Sequence, residues 1–142
     1  METVVIDANI GVALVCPLSY SRAFRDRLEE WLRRRVNVVV PALWDYEIAA
    51  ALRKQWARNL LAREAALEGL VHLFRLPVQR VSATQELLTW ALIWAERLGQ
   101  MTTYDAQYLA LSDRLGAHFW TADRKLYHRC KDIGVDWVNL VE

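Results

Sequence analysis

The stretch Thr102-Thr103-Tyr104-Asp105-Ala106-Gln107-Tyr108-Leu109-Ala110-Leu111, followed by Gly116-Ala117-His118-Phe119-Trp120-Thr121-Ala122-Asp123, decides how this chain folds. Tyr104, Tyr108, Leu111 and Leu115 recur at three- to four-residue spacing, which predicts one face of a helix. Thr102 or Thr103 is expected to cap it, because a side-chain oxygen there can accept from a free backbone N–H. Gly116 is expected to stop it. Ala117 to Thr121 then reads as a short buried strand that ends at Asp123. The stretch is a helix feeding a strand, and each carries a carboxylate, Asp105 and Asp123, where packing alone asks for an apolar side chain. By themselves these acids are either caps or half of a site.

The chain before this stretch repeats the alternation of strand and helix. Thr3-Val4-Val5-Ile6 is β-branched and apolar, as a strand buried on both faces requires, and it runs directly into Asp7. Residues 19–35 predict an amphipathic helix with Phe24, Leu28, Trp31 and Leu32 on its buried stripe. Val36 to Val40 predict a second strand closed by Pro41, which suits the first turn of the next helix. In that helix Trp44, Ile48, Ala51, Leu52, Gln55 and Trp56 form the stripe, with Glu47 at its margin. A helix over 58–74 is expected to bury Leu60, Leu67, Leu70, Val71 and Phe74. Val78 to Val81 predict a third strand, and Ser82 or Thr84 opens a helix with Leu87, Trp90, Ala91, Trp94 and Leu98 inward, closed by Gly99. After Asp123, a short helix over 124–131 and a last strand over 136–140 complete the pattern. The expected architecture is α/β: residues 1–142 as a single domain, with a central, mostly parallel sheet of five strands and helices on both faces.

Four acids break the local patterns: Asp7, Glu47, Asp105 and Asp123. Each has a bland reading alone, as a helix cap, a macrodipole partner or one half of an ion pair. For the four together that reading is weaker. In a right-handed parallel sheet the carboxyl ends of the strands share one edge, where open α/β sheets bind ligands. Two unit charges 4 Å apart interact by about 4 kcal/mol at an effective dielectric near 20. Several such pairs rival the whole stability of a small domain, roughly 5–15 kcal/mol. The cluster must take up protons or hold cations, and oxygen-only ligands favour Mg²⁺ or Mn²⁺.

Val5-Ile6-Asp7-Ala8-Asn9, Pro41-Ala42-Leu43-Trp44-Asp45-Tyr46-Glu47-Ile48, Tyr104-Asp105-Ala106-Gln107-Tyr108-Leu109-Ala110-Leu111 and Thr121-Ala122-Asp123 stand in the order and spacing of PIN domains. Over essentially the whole chain the sequence resembles the VapC-type toxins of toxin–antitoxin pairs. The resemblance implies a Mg²⁺- or Mn²⁺-dependent endoribonuclease that hydrolyses RNA phosphodiester bonds with a metal-activated water. It also implies a homodimer and a cognate antitoxin that blocks the site. Asp7, Glu47, Asp105 and Asp123 would be its catalytic and metal-binding quartet, with Asn9 and Thr121 in support. Within the same resemblance, a nuclease of RNA maturation is an alternative. Outside it, an aspartate-based phosphohydrolase would want a second acid two residues after Asp7, where Asn9 stands.

Charge and composition set the remaining bounds. The 142 residues carry a net charge of +1, so no overall field announces a polyanionic partner, although an acidic pocket and a basic rim would cancel in that sum. Arginines crowd residues 22–35, and Lys54, Arg124 and Lys125 are the cations placed to meet an RNA backbone. The alternative for all of them is a solvated helix face. His72, His118 and His128 read as surface or packing residues. Cys16 and Cys130 match neither a disulfide framework nor a zinc motif. With no apolar run of membrane-spanning length and no signal-like segment, a cytoplasmic protein without membrane contact is expected. Among the seven tryptophans, Trp31, Trp44 and Trp56 could be core or could line a groove that receives an antitoxin helix or a second subunit.

Overall fold

The computed structural model describes Met1–Glu142. In chain order the elements are β1 (Thr3–Ile6), α1 (Ala8–Val12), α2 (Ser21–Arg33), β2 (Asn37–Pro41), α3 (Leu43–Ala57), α4 (Arg63–Phe74), β3 (Val78–Val81), α5 (Gln85–Leu98), α6 (Tyr104–Leu115), β4 (His118–Thr121), α7 (Arg124–Asp132) and β5 (Val138–Leu140). The five strands form one sheet in the order β3-β2-β1-β4-β5, and every pairing is parallel. The sheet expected to be mostly parallel is wholly so.

Val4, Val5 and Ile6 in β1 and Val38, Val39 and Val40 in β2 are all buried, as central strands covered on both faces must be. The two faces can be told apart at Phe119 and Trp120, which as consecutive strand residues point oppositely. Phe119 packs against Tyr108 of α6, with ring centroids 5.6 Å apart. Trp120 meets Trp31 of α2 edge-on at 5.5 Å. Helices therefore lie on both faces. Going along the chain, strands are added on one side of β1 and then, from β4, on the other. The reversal falls between β1 and β4, where an open parallel sheet leaves a crevice at its carboxyl edge.

Several helix boundaries differ from the sequence pattern, each for a local reason. Pro41 is the last residue of β2, paired with Val81, and it leaves the following helix to begin at Leu43. α1 follows Asp7 at once; its Gly11 lies so close to the Trp44 indole that an added Cβ would stand 2.7 Å from Cζ2. The helix expected over 58–74 starts only at Arg63, because Asn59 turns the chain in the left-handed region, φ 58°, after α3.

α4 also presents the opposite face from the one expected. Ala66, Gly69 and Leu73 are buried, whereas Leu60, Leu67, Val71 and Phe74 are exposed. Small residues explain the choice: a Cβ on Gly69 would meet Val15 at 3.2 Å, so only the small-residue face approaches this closely. Of the remaining expected stripe residues, Leu32, Trp90, Tyr104 and Leu115 are exposed. The Thr103 side chain accepts no capping bond from the backbone, and instead accepts from the Gln107 amide at 3.2 Å. Thr84, Gly99 and Gly116 hold their expected capping positions, the glycines at φ 69° and 61°.

The α4 orientation gives a direct test by equilibrium unfolding. Leu73→Ala is expected to cost about 2–5 kcal/mol, as for a buried leucine. Leu67→Ala is expected to cost under about 1 kcal/mol, as for a half-exposed one. The reverse order would contradict the orientation.

Candidate active site

The crevice between β1 and β4 is where the acids come together. Asp7 follows β1 directly, and its backbone N–H donates to the Trp120 carbonyl at 2.9 Å, continuing the β1–β4 ladder by one residue. Thr121 ends β4, fully buried beside it. Its hydroxyl accepts from the Asp123 backbone N–H at 3.0 Å and from the Asn9 side-chain amide at 3.3 Å. A hydroxyl has one proton to give. With both incoming bonds accepted, that proton goes to Asp7 Oδ2 at 2.9 Å. Asn9 closes the ring by accepting from the Ala122 N–H at 3.3 Å through Oδ1. Tyr20 donates to the Asn9 carbonyl at 3.1 Å. Thr121 is thus the knot that ties the end of β1 to the start of α7.

Two helix starts supply the other acids. Glu47 lies in the second turn of α3 and Asp105 in the first turn of α6. Tyr108, one turn after Asp105, donates its phenol proton to Glu47 Oε1 at 2.7 Å. The Gln100 amide donates to Asp105 Oδ2 at 2.9 Å. Asp123 accepts from the Leu126 N–H at 3.1 Å, so it does cap α7. Its capping role and its place at the sheet edge coexist.

The electrostatics are one-sided. No lysine or arginine forms an ion pair with any of the four acids. Burial pushes the Asp7 carboxyl up to about 7; its bond from Thr121 opposes the rise, and the charges of Asp105 and Glu47 add to it. Glu47 is raised by burial and by Asp105, against the pull of its Tyr108 bond. Asp105 is raised by burial and by Asp123, against its Gln100 bond. The phenol of Tyr108 is driven upward by burial and then by Asp7 and Glu47, so it stays protonated and remains a donor.

No group of three or more Asp, Glu, His or Cys side chains is drawn tightly enough to form a metal cage. The four carboxylates feel one another's charge across an open arrangement. That suits a small hard cation. Mg²⁺ keeps several of its waters and is held by one or two carboxylates together with substrate phosphates. Oxygen-only side chains with no protein cation to offset them suit a hard divalent cation better than the thiolate and imidazole sets of structural zinc sites do.

The cations expected at the rim divide. Lys54 and Lys125 are exposed and form no ion pair, whereas Arg124 pairs with Glu142 at 3.1 Å. Several arginines of α2 and its C-cap are engaged locally: Arg34, the cap, with Glu2 and Glu30, Arg27 with Glu30 and over the Trp120 ring, Arg25 with the Leu14 carbonyl. His118 is exposed, its Nδ1 2.8 Å from the Asn139 amide, and does not pack in the core as expected. Cys16 and Cys130 are buried and unpaired.

Tyr108, Gln100 and Tyr20 were not legible as site residues. Tyr108 reads in sequence as part of an apolar stripe. The available signal is chemical: a buried tyrosine needs a partner for its O–H, and Asp105 stands one turn away.

The sequence profile of the PIN domain matches residues 4–132, and the chain belongs to that family. It is 30% identical over 128 residues to a Mycobacterium tuberculosis protein named Ribonuclease VapC12, covering 87% of this chain and 88% of that one. It is 32% identical over 125 residues to a Pyrobaculum aerophilum protein named Ribonuclease VapC3, covering 86% and 90%. Among solved structures, VapBC2 from Rickettsia felis, bound to a promoter DNA fragment, superposes with a TM-score of 0.71 at 11% identity over 99% of this chain and 100% of that one. M. tuberculosis VapC20, a sarcin-ricin loop cleaving toxin, gives 0.66 at 17% over 88% and 93%. At those identities the superpositions speak for the fold.

Asp7 sets a pH dependence whose sign is fixed. It ionises near 3.8 when unfolded and near 7 when folded. Between those values the folded state holds the extra proton, so stability falls as pH rises from about 4 to about 7. The upward shifts of Glu47 and Asp105 act in the same direction. In chelator, the melting temperature is expected to be lower at pH 8 than at pH 6, and Asp7→Asn to remove most of that drop. An Asp7→Asn profile parallel to the wild type would contradict the assignment.

Proposed function

We propose that this protein is a divalent-metal-dependent endoribonuclease and the toxin of a VapBC-type toxin–antitoxin pair. The observation that carries the reading is the set of acids at the β1–β4 crevice, uncompensated by any basic side chain. The sequence match to proteins named VapC ribonucleases along most of the chain supports it. The aspartate-based phosphohydrolase alternative loses its ground, because Asn9 holds the acid's expected place and is engaged with Thr121 and Ala122.

Asp7, Glu47, Asp105 and Asp123 would hold Mg²⁺ or Mn²⁺. When bound, the ion supplies charge neutralisation at the reacting phosphate and lowers the pKa of the attacking water. The chain's own groups prepare for it. Thr121 fixes the Asp7 carboxylate by donating to Oδ2. Tyr108 and Gln100 each occupy one oxygen of Glu47 and of Asp105, so the second oxygen of each remains to accept a ligand. Asn9 and Thr121 hold the ends of β1 and β4 at a fixed separation. Lys54 and Lys125, without acid partners, attract the RNA backbone, and Arg124 joins them when it leaves Glu142.

Partner binding has surfaces to use. Along α4, Leu67, Val71 and Phe74 are about half exposed, at 47%, 49% and 51%, and they adjoin the half-buried Trp56 and Leu70. On α5, Leu92 and Ile93 face outward. Faces of this kind on a small domain mark contact sites; they support an antitoxin and a second copy of the chain as partners. No helix is long and apolar enough to cross a membrane.

With Mg²⁺ or Mn²⁺ and total RNA, the protein is expected to produce discrete cut ends. Asp7→Asn and Asp105→Asn are expected to lower the rate at least ~100-fold, a loss of about 2.7 kcal/mol in transition-state stabilisation. Tyr108→Phe keeps the ring and removes the bond to Glu47, so it is expected to cost about 10–100-fold in activity or metal affinity. Undiminished cleavage in chelator, or by the Asp7→Asn protein, would contradict the reading.

A further inference from the structure

Beside the acidic crevice lies a separate apolar cleft of about 210 Å³, roofed by the β3–α5 connection and lined by Leu43 and Tyr46 of α3, Ser82, Leu88 of α5, and Gln107 and Leu111 of α6. Its position relative to the acids follows from helix geometry. At about 100° per residue, Leu43 and Tyr46 lie between about 40° and 100° to one side of Glu47. Gln107 and Leu111 lie about 60° to 100° to one side of Tyr108. The cleft is thus flanked by the two helices that the hydrogen bond between Tyr108 and Glu47 joins, and Asp105, about 60° to the other side of Tyr108, points away from it.

We infer that this cleft is a subsite for one unstacked nucleobase of a single-stranded RNA, next to the cleaved phosphate. This rests on the ribonuclease reading above. Three features of the cleft select that occupant. Its volume is below the ~300–1,000 Å³ of pockets for drug-sized ligands and suits a single ring system. Its walls are apolar except for two neutral hydrogen-bonding groups, the Ser82 hydroxyl and the Gln107 amide. Gln107 spends its Nε2 on Thr103 and keeps Oε1 to accept from a base edge. At the mouth, Tyr46 is 74% exposed although its ring is large and flat. Single-stranded RNA is gripped by such means, with bases splayed onto aromatic rings and read along their edges. No charged side chain lines the cleft, so the ribose-phosphate would be held elsewhere, at the ion and the lysines.

The test uses the full chain carrying Asp7→Asn in chelator, so that RNA is not consumed and the backbone is held by the lysines alone, and fluorescence anisotropy with 12-nucleotide probes. Oligo(A), oligo(U), oligo(C) and oligo(G) are compared with an abasic 12-mer of the same backbone. At least one base-bearing probe is expected to bind tenfold or more tightly than the abasic one, a value within what one stacked base contributes. Adding Tyr46→Ala, or filling the cleft with Leu88→Trp, is expected to abolish most of that preference while abasic binding holds. Tyr46 is exposed enough for its replacement to leave the fold intact. Equal binding of abasic and base-bearing probes, or an equal loss for both in the two variants, overturns the subsite. So does a change in oligomeric state on gel filtration with either variant, which would make the cleft a contact between copies of the chain. Each result leaves the ribonuclease reading to its own cleavage assay.

Discussion

Carboxylates brought to one edge of a parallel sheet, with no lysine or arginine set against them, are the constraint on which this structure turns. A domain of this size ordinarily disperses its acids or pairs them, as Asp45 is paired with Arg80 at 2.8 Å. At the β1–β4 crevice it does neither. It spends neutral donors instead: a threonine on Asp7, a tyrosine on Glu47 and a glutamine on Asp105. Neutral donors orient an acid without cancelling its charge. Burial first, and the charge of neighbouring acids after it, push the Asp7, Glu47 and Asp105 carboxyls upward, and a divalent ion at the crevice would offset both.

The fold was legible wherever burial and backbone chemistry coincide. Thr3–Ile6 and Val36–Val40 read as central strands because both faces must be apolar, and both became the middle of the sheet. Gly99 and Gly116 read as stops because they take a left-handed conformation, and they do. Legibility fails on α4, where the pattern of larger side chains predicts the wrong buried face. Close packing there depends on the absence of a side chain, at Gly69 against Val15, and hydrophobicity counts cannot see that. The turn at Asn59 was hidden for a related reason: the flanking residues carry good helical propensity, and only the tertiary path requires a reversal.

For the site, the four acids were legible because they violated local patterns, but their supports were not. Resemblance alone gives Thr121 a supporting role; its place as a three-way hydrogen-bonding hub depends on a partner, Asp7, 114 residues away in sequence. Tyr108 reads as part of an apolar stripe, and its ring does pack on Phe119. Its hydroxyl does something else. One side chain serves the core with its ring and the site with its oxygen, and periodicity reports only the first. On α4 the exposed Leu67, Val71 and Phe74 have the spacing of a buried stripe, and periodicity alone does not distinguish a core face from a partner face.

The account stands most directly on whether a cation takes the place of the Asp7 proton. Isothermal titration of Mn²⁺ into the protein at pH 6.5, repeated in buffers of different ionisation enthalpy, reports both binding and the protons released. The account predicts saturable binding with a substantial fraction of a proton expelled per site, and loss of both in Asp7→Asn. Binding without proton release, or binding unchanged in Asp7→Asn, would contradict it.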